Sequence, residues 1–284
     1  MTDKTVFKRF AIGIIAIWLV LFALVPNLMV IIASFMTQGE SEFIVWTPSI
    51  SSYQRMLDPL YLQVFWNSFY LSAFTTVLCL LIGYPFAYLI ARAGPKARPI
   101  LLLLVIVPFW TSSLVRTYAM IIILNANGLL NSTLLGLGLI NEPLQILYTD
   151  TAVIAGLVYT LLPFMVLPLY AAIEKLDWRL VEAARDLGAR KVRTFVSVII
   201  PLTMPGIVAG SMLVFLPGLG MFYIADFLGG SKTTLIGNLI QRQFLSARDW
   251  PFGSAASVTL TVTMGVMIWI YLLSAKRANA KVEV

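Results

Sequence analysis

Six apolar stretches divide the chain, at about residues 11–35, 64–91, 99–123, 151–173, 197–222 and 252–275. Each is long enough to cross a hydrocarbon core of about 30 Å, which takes roughly 20 helical residues at about 1.5 Å apiece. The first stretch, Ala11 to Phe35, carries no charge. It exceeds the roughly 7–15 residues of a signal-peptide core and lacks an A-x-A cleavage site, so it reads as a retained anchor. Three polar connections, about 36–63, 124–150 and 223–251, alternate with three others at 92–98, 174–196 and 276–284. The pattern predicts an all-α membrane protein: one membrane domain over 1–284 with six transmembrane helices and no soluble domain.

Composition sharpens this picture. Of 284 residues, 60% are hydrophobic and 12% charged, with mean hydropathy +0.90. Soluble domains carry about 25% charged residues, so most of this surface faces something other than water. The net charge of +7 raises the question of nucleic acid, and the positions of the charges answer it. Fifteen of the 20 Lys and Arg residues fall in or beside one alternate set of connections: Lys4, Lys8 and Arg9; Arg92, Lys96 and Arg98; Lys175 to Arg193; and Lys276, Arg277 and Lys281. Arg55, Lys232, Arg242 and Arg248 lie on the other side, and Arg116 lies within a span. The positive-inside rule then puts both termini in the cytoplasm, and membrane topology accounts for the basic charge without nucleic acid. With no His and a single Cys, Cys79, the chain offers no usual zinc site, His-based triad or disulfide framework. The outer connection at 124–150 holds Glu142 and Asp150, read as solvated loop charges, and its Asn/Gly/Leu-rich run 125–141 predicts a short interfacial helix.

The inner connection 174–196 is long, charged with both signs and strongly helix-forming. Asp177 is placed to cap a short helix running to Leu187, and Gly188 to end it in the left-handed region. Leu180, Ala183, Ala184 and Leu187 recur at i, i+3, i+4, i+7 and give a charged helix one apolar stripe. On this pattern alone the helix either lies on the membrane surface or docks into a cleft on a soluble partner.

The wider motif decides between these. Glu182-Ala183-Ala184, then Gly188, then Val198-x-Ile200-Pro201 resembles the EAA motif of ABC importer permeases, with conservative apolar swaps in the usual Ile-x-Leu-Pro ending. The resemblance implies a type I ABC importer permease fold in a bacterial inner membrane. In that family this loop is the coupling helix, so Glu182, Ala183, Ala184 and Gly188 become the ATPase-coupling residues. It also implies the partners: two copies of a cytoplasmic ATPase, a second homologous permease subunit, a periplasmic binding protein and membrane lipid. ATP and Mg2+ belong to the ATPase, and no cofactor is expected in this chain. Gly229-Gly-Ser-Lys232-Thr is not a phosphate loop, because it lacks the Gly before Lys and the first Gly at the required spacing.

Further stretches resemble the polyamine (spermidine/putrescine) branch of these permeases: Val107 to Tyr118, Leu162 to Tyr170, Phe222 to Gly230, and Arg248 to Ala255. A polyamine is a flexible polycation with methylene spacers, suited by a few carboxylates and aromatic faces. Phe222, Tyr223 and Asp226, at i, i+1 and i+4, are candidates for the outer part of such a path. The alternative for Asp226 is a cap at the membrane edge. Pro217-Gly218 upstream is expected to loosen the helix. Trp110 and Tyr159 are further pathway candidates, alongside Tyr118, against an ordinary packing or interfacial role. Arg116 is read as structural, snorkelling or holding a loop carbonyl. Another ABC solute stays open as an alternative. A secondary transporter fits less well, because intramembrane ionisable residues are nearly absent.

Overall fold

The computed structural model describes residues 2–39, 43–230 and 233–280. Ser231, Lys232 and Lys281 lie outside the described residues, as do the side chains of Lys4, Arg9, Lys276 and Arg277. In chain order the helices are α1 Thr2–Leu19, α2 Val25–Ser34, α3 Ser51–Met56, α4 Pro59–Arg92, α5 Ala97–Ile106, α6 Ser113–Leu124 and α7 Leu129–Gly136. They continue as α8 Asp150–Glu174, α9 Trp178–Asp186, α10 Lys191–Thr194, α11 Ile200–Gly220, α12 Phe222–Ile224, α13 Ile236–Leu245 and α14 Trp250–Ala280. Among the described residues the only extended pairing is a single bridge between Thr37 and Val45.

Among the described residues, six segments are long and apolar enough to cross a membrane: Ile12–Ser34, Pro59–Arg92, Ser113–Gly136, Asp150–Glu174, Lys191–Gly220 and Trp250–Leu273. The chain is thus an all-α, multi-pass membrane protein. Five segments overlap the expected stretches closely. The third, expected as one helix over 99–123, is not one helix. Pro108 has no N–H to give and its ring opposes the carbonyl four residues back. The chain tightens there into a 3-10 turn over Val107–Trp110. Thr111 and Ser112 are extended, with ψ of 146° and 134°, before α6 begins. The helix expected within 125–141 is α7.

Two of the three π turns have the same cause. Val20–Leu24 and Phe195–Ile199 each end just before a helix with proline at its start, Pro26 and Pro201. Widening the turn relieves the clash between the proline ring and the preceding carbonyls.

The chain divides into two compact units. One comprises the residues up to Gln63 together with Leu239–Gly265. Its firmest feature is an ion pair, Arg55 Nη1 to Asp249 Oδ2 at 2.7 Å. The Arg55 guanidinium lies 4.5 Å from the centre of the Phe252 ring. Asp249 also accepts the Phe252 N–H at 3.1 Å, capping the start of α14. Burial opposes the charge on Arg55, but the hydrogen bond and charge of Asp249, helped by Tyr61, outweigh it and raise its pKa.

The other unit comprises Val64–Asn238 with the chain from Val266. Its centre is α8. Val153, Leu157, Leu161, Met165, Leu169 and Ile173 recur every fourth residue and are all fully buried. This ridge packs against a groove of small residues on α11, where Gly206, Gly210, Val214 and Gly218 are buried at the same spacing. The approach is closest at the glycines. A Cβ on Gly206 would lie 2.5 Å from Ala172 Cβ and 2.8 Å from the Pro168 carbonyl oxygen, and one on Gly210 2.8 Å from Met165 Sδ. Gly206-x-x-x-Gly210 is a small-residue helix-packing motif of the membrane-protein kind.

Candidate functional site

The loop expected to couple to a partner folds as its sequence indicates. Asp177 caps α9, its carboxylate accepting the Arg179 N–H at 3.0 Å. At the far end Gly188 has φ +81°. Its N–H donates to the Arg185 carbonyl at 2.9 Å, and the Ala189 N–H donates to the Ala184 carbonyl at 3.0 Å. These two bonds are those of a Schellman stop, which favours glycine at the turning residue.

The two faces of α9 differ sharply. Val181 is buried with Leu176 and Ile199 in a small cluster, with Trp178, Phe195, Val198 and Tyr88 packed against it. The stripe of Leu180, Ala183, Ala184 and Leu187 is left largely open: Leu187 is 90% exposed, and Glu182 and Ala183 are exposed beside it. Leu180 also lines a groove of about 470 Å³ floored by Ala171, Ala172, Gly206 and Ala209, with Lys175 on its wall. A helix fastened by one face, with a second apolar face free, has the form of a docking element rather than a core helix.

The second feature is the end of α11. The helix runs through Pro217 and Gly218 and breaks at Met221, where ψ is 75°. Pro217 costs it one hydrogen bond, and Gly218 serves close packing, since a Cβ there would lie 3.2 Å from Ser72 Oγ. The break falls where two glycines meet: a Cβ on Gly237 would stand 2.5 Å from the Gly220 carbonyl oxygen. Phe222 and Tyr223 follow in the short α12, their rings edge-to-face at 6.1 Å. Asp226 then sits half-buried in a π turn over Ala225–Gly229 that ends at Gly230 with φ +61°.

A residue the sequence did not flag organises this break. Asn238, fully buried, donates from Nδ2 to the Phe222 carbonyl at 2.8 Å and to Asp226 Oδ1 at 2.6 Å. Its Oδ1 accepts the Leu235 N–H at 3.1 Å. A lone Asn in a polar connection carries no pattern that would single it out. The Ile236 N–H is taken by Ser68 Oγ of α4 at 2.7 Å. Tyr118 lies against Phe227 of the π turn, ring centres 4.9 Å apart.

The remaining candidates gather elsewhere. Arg116, in the first turn of α6, lies over the rings of Phe109 and Tyr159 at 5.5 and 5.8 Å. Ring contacts take the place of the expected loop carbonyl, and its Nε and Nη1 are buried without a hydrogen-bond partner among the described residues. Tyr159 is 44% exposed and Trp110 75% exposed. No ring contact joins Trp110 or Tyr159 to Phe222 or Tyr223 among the described residues. Asp150, read as a loop charge, opens α8 and accepts from Thr233 Oγ1 at 2.5 Å. A carboxylate at a helix N-terminus is favoured by the helix dipole. Gly229, first residue of the glycine-rich run before Lys232, belongs to the π turn and does not follow a strand as a phosphate loop does.

Residues 83–282, which include α9 and the Met221 break, match the family described as the inner membrane component of binding-protein-dependent transport systems. The chain belongs to that family. This importer permease is 53% identical over 98% of its length to the spermidine/putrescine transport system permease protein PotB of Haemophilus influenzae, covering 97% of that protein. It is 54% identical over 94% of its length to the protein of the same name from Escherichia coli K12, covering 97% of it. Among solved structures, a bacterial alginate ABC transporter in complex with an alginate pentasaccharide-bound periplasmic protein matches with TM-score 0.73 at 18% identity, over 94% of the permease and 92% of that chain. At that identity the likeness carries the fold, which is that of ABC importer membrane subunits. The family is one of transport subunits, so the permease is not an enzyme.

Proposed function

We propose that this permease subunit imports polyamines of the spermidine/putrescine kind by alternating access, as half of a membrane pathway completed by a second, homologous permease. The observation that carries the substrate class is the near full-length identity above one half to the Haemophilus influenzae permease. The whole chain works as one transmembrane domain of a bacterial inner membrane, with both termini and the 174–196 loop in the cytoplasm, the side that collects the basic residues. A periplasmic binding protein delivers the substrate, and two copies of a separate ATPase bind ATP and Mg2+.

In this reading α9 is the coupling helix. Its open stripe of Leu180, Ala183, Ala184 and Leu187 packs into the ATPase groove, and Glu182 pairs with a basic residue there. Gly188 turns the chain back toward the membrane. Near the outer end Phe222, Tyr223 and Asp226 face the path, where a carboxylate and ring faces replace part of the hydration an ammonium loses. Trp110 and Tyr159 supply further ring surface along it.

The test is uptake of labelled spermidine and putrescine in cells expressing the permease with its neighbouring subunits. Saturable uptake is expected, weakened by Asp226→Asn and abolished by Glu182→Lys. If the assembled complex hydrolyses ATP but takes up neither polyamine, the substrate assignment fails and the search moves to other ABC solutes.

A further inference from the structure

The coupling helix meets one transmembrane helix, α4, at its first residue. Trp178, the first residue of α9, lies between two side chains of α4. The Arg92 guanidinium is 4.6 Å from its ring centre, and Tyr88 meets it edge-on with ring centres 6.0 Å apart. One turn further along α4, Tyr84 is edge-on to Phe195 at 5.4 Å and hydrogen-bonded to Thr203 Oγ1 at 2.9 Å. Tyr84, Tyr88 and Arg92 are spaced i, i+4, i+8 and so form one row on α4. The row grips both ends of the loop: Trp178 where the chain enters α9, and Phe195 and Thr203 where it re-enters the membrane.

The same helix reaches the other feature of the site. Ser68, 20 residues before Tyr88, holds the first N–H of α13, and α13 carries Asn238 and its bonds to Phe222 and Asp226. Twenty helical residues span about 30 Å, the thickness of a bilayer core. Between these ends α4 is held along its length: Ser72, Thr75, Cys79, Gly83 and Ala87 are buried. α4 runs unbroken from Pro59 to Arg92, with Pro85 inside it, and a continuous, packed helix transmits a displacement at one end to the other.

We propose that Trp178 is a positioning residue of the transport cycle, the joint through which the coupling helix moves α4 and, through Ser68, the Asn238-held break at Met221. The inference rests on the reading of α9 as the ATPase-docking helix, but it assigns a separate task to a separate face. The open stripe binds the ATPase, and Trp178 on the fastened side passes the motion on. Losing Trp178 therefore uncouples transport from ATP hydrolysis without releasing the ATPase.

The experiment uses the complete transporter in proteoliposomes with its loaded binding protein. Three quantities are read: ATPase subunit retained after purification through the permease, ATP hydrolysed, and spermidine taken up per ATP. For Trp178→Ala the ATPase stays bound and hydrolysis persists, while uptake per ATP falls roughly two- to thirtyfold, the range of couplings carried by side chains between distant sites. Trp178→Phe restores most of the ratio, because a ring remains between Tyr88 and Arg92. Arg92→Ala, a change at an exposed side chain that spares the helix, lowers the ratio in the same sense by less. Glu182→Lys is the control and loses the ATPase. Full coupling in Trp178→Ala, or loss of the ATPase from Trp178→Phe and Arg92→Ala, overturns the joint. Retention of the ATPase by Glu182→Lys instead overturns the docking assignment.

Discussion

Replacing Asn238 by Ala removes a side chain that closes the break in α11, and the cost follows from its three bonds. The Leu235 N–H belongs to a fully buried residue and loses its acceptor. The Phe222 carbonyl loses its donor, and Asp226 loses an amide at 2.6 Å. A buried backbone group left without a partner costs about 1 kcal/mol or more, and a bond to a charged group is worth about 2 kcal/mol. The substitution thus destabilises this region by about 4 kcal/mol, which in a protein of this size lowers the unfolding midpoint by on the order of 10 °C.

The assay is thermal unfolding of the purified permease complex in nanodiscs, paired with uptake. A reciprocal exchange makes the reasoning specific. Asn238→Asp keeps an acceptor for the Leu235 N–H but sets a second carboxylate beside Asp226, and like charges this close repel. Adding Asp226→Asn to it restores an amide–carboxylate pair with its direction reversed. The double variant recovers part of the lost midpoint, while uptake stays low because the carboxylate now sits on α13. Equal midpoints for wild type and Asn238→Ala would refute the role given to Asn238. Failure of the double variant to improve on Asn238→Asp would refute the pairing.

Two further predictions concern glycines. Gly206→Val drives a side chain into the Pro168 carbonyl and Ala172 across the α8–α11 contact, an overpacking of about 1–3 kcal/mol or more. Expression in the membrane falls sharply, whereas Gly265→Ala, with nothing within 4 Å of its Cβ, leaves it unchanged. Gly188→Val forces a β-branched residue into φ +81°, at a cost of about 1–2 kcal/mol. The end of α9 then frays, and co-purification of the ATPase falls several-fold while permease abundance holds.

The parts of this protein that are local in sequence were legible there. The cap at Asp177, the stop at Gly188 and the open stripe between them depend on neighbours within two turns. So do the apolar runs that become transmembrane helices, apart from the third, where Pro108 outweighed a hydrophobic run of sufficient length. Gly206-x-x-x-Gly210 is a packing motif visible in the sequence, and the helix continues through Pro217-Gly218 downstream of it. What sequence pattern did not carry was pairing at a distance. Nothing in a single Asn at 238 announces that it will reach Phe222, and nothing in Trp178 announces α4. Such contacts are properties of packed helices, each one residue deep, and leave no periodicity.

The two breaks in the transmembrane helices are closed in different ways, and the difference bears on how the permease moves. Backbone groups freed inside a membrane must find partners in protein or water. At Thr111 this happens locally: the Thr111 hydroxyl donates to the Pro108 carbonyl at 2.8 Å and the Arg116 N–H to the Ser112 carbonyl at 3.2 Å. Such a break travels with its own helix. At Met221 the partner is Asn238, on α13, whose first N–H is held by Ser68 of α4, so any motion of α11 against α13 must exchange the Asn238 bonds. If water replaces them the net cost is about 1 kcal/mol each; if only hydrocarbon is available it is several. Motion at Met221 is therefore accessible only where water reaches the break. A translocation pathway supplies water there for part of its cycle, and a lipid-facing position never does. A cycle that moves α11 at Met221 thus requires water beside Phe222 to Asp226, which the proposed pathway would supply.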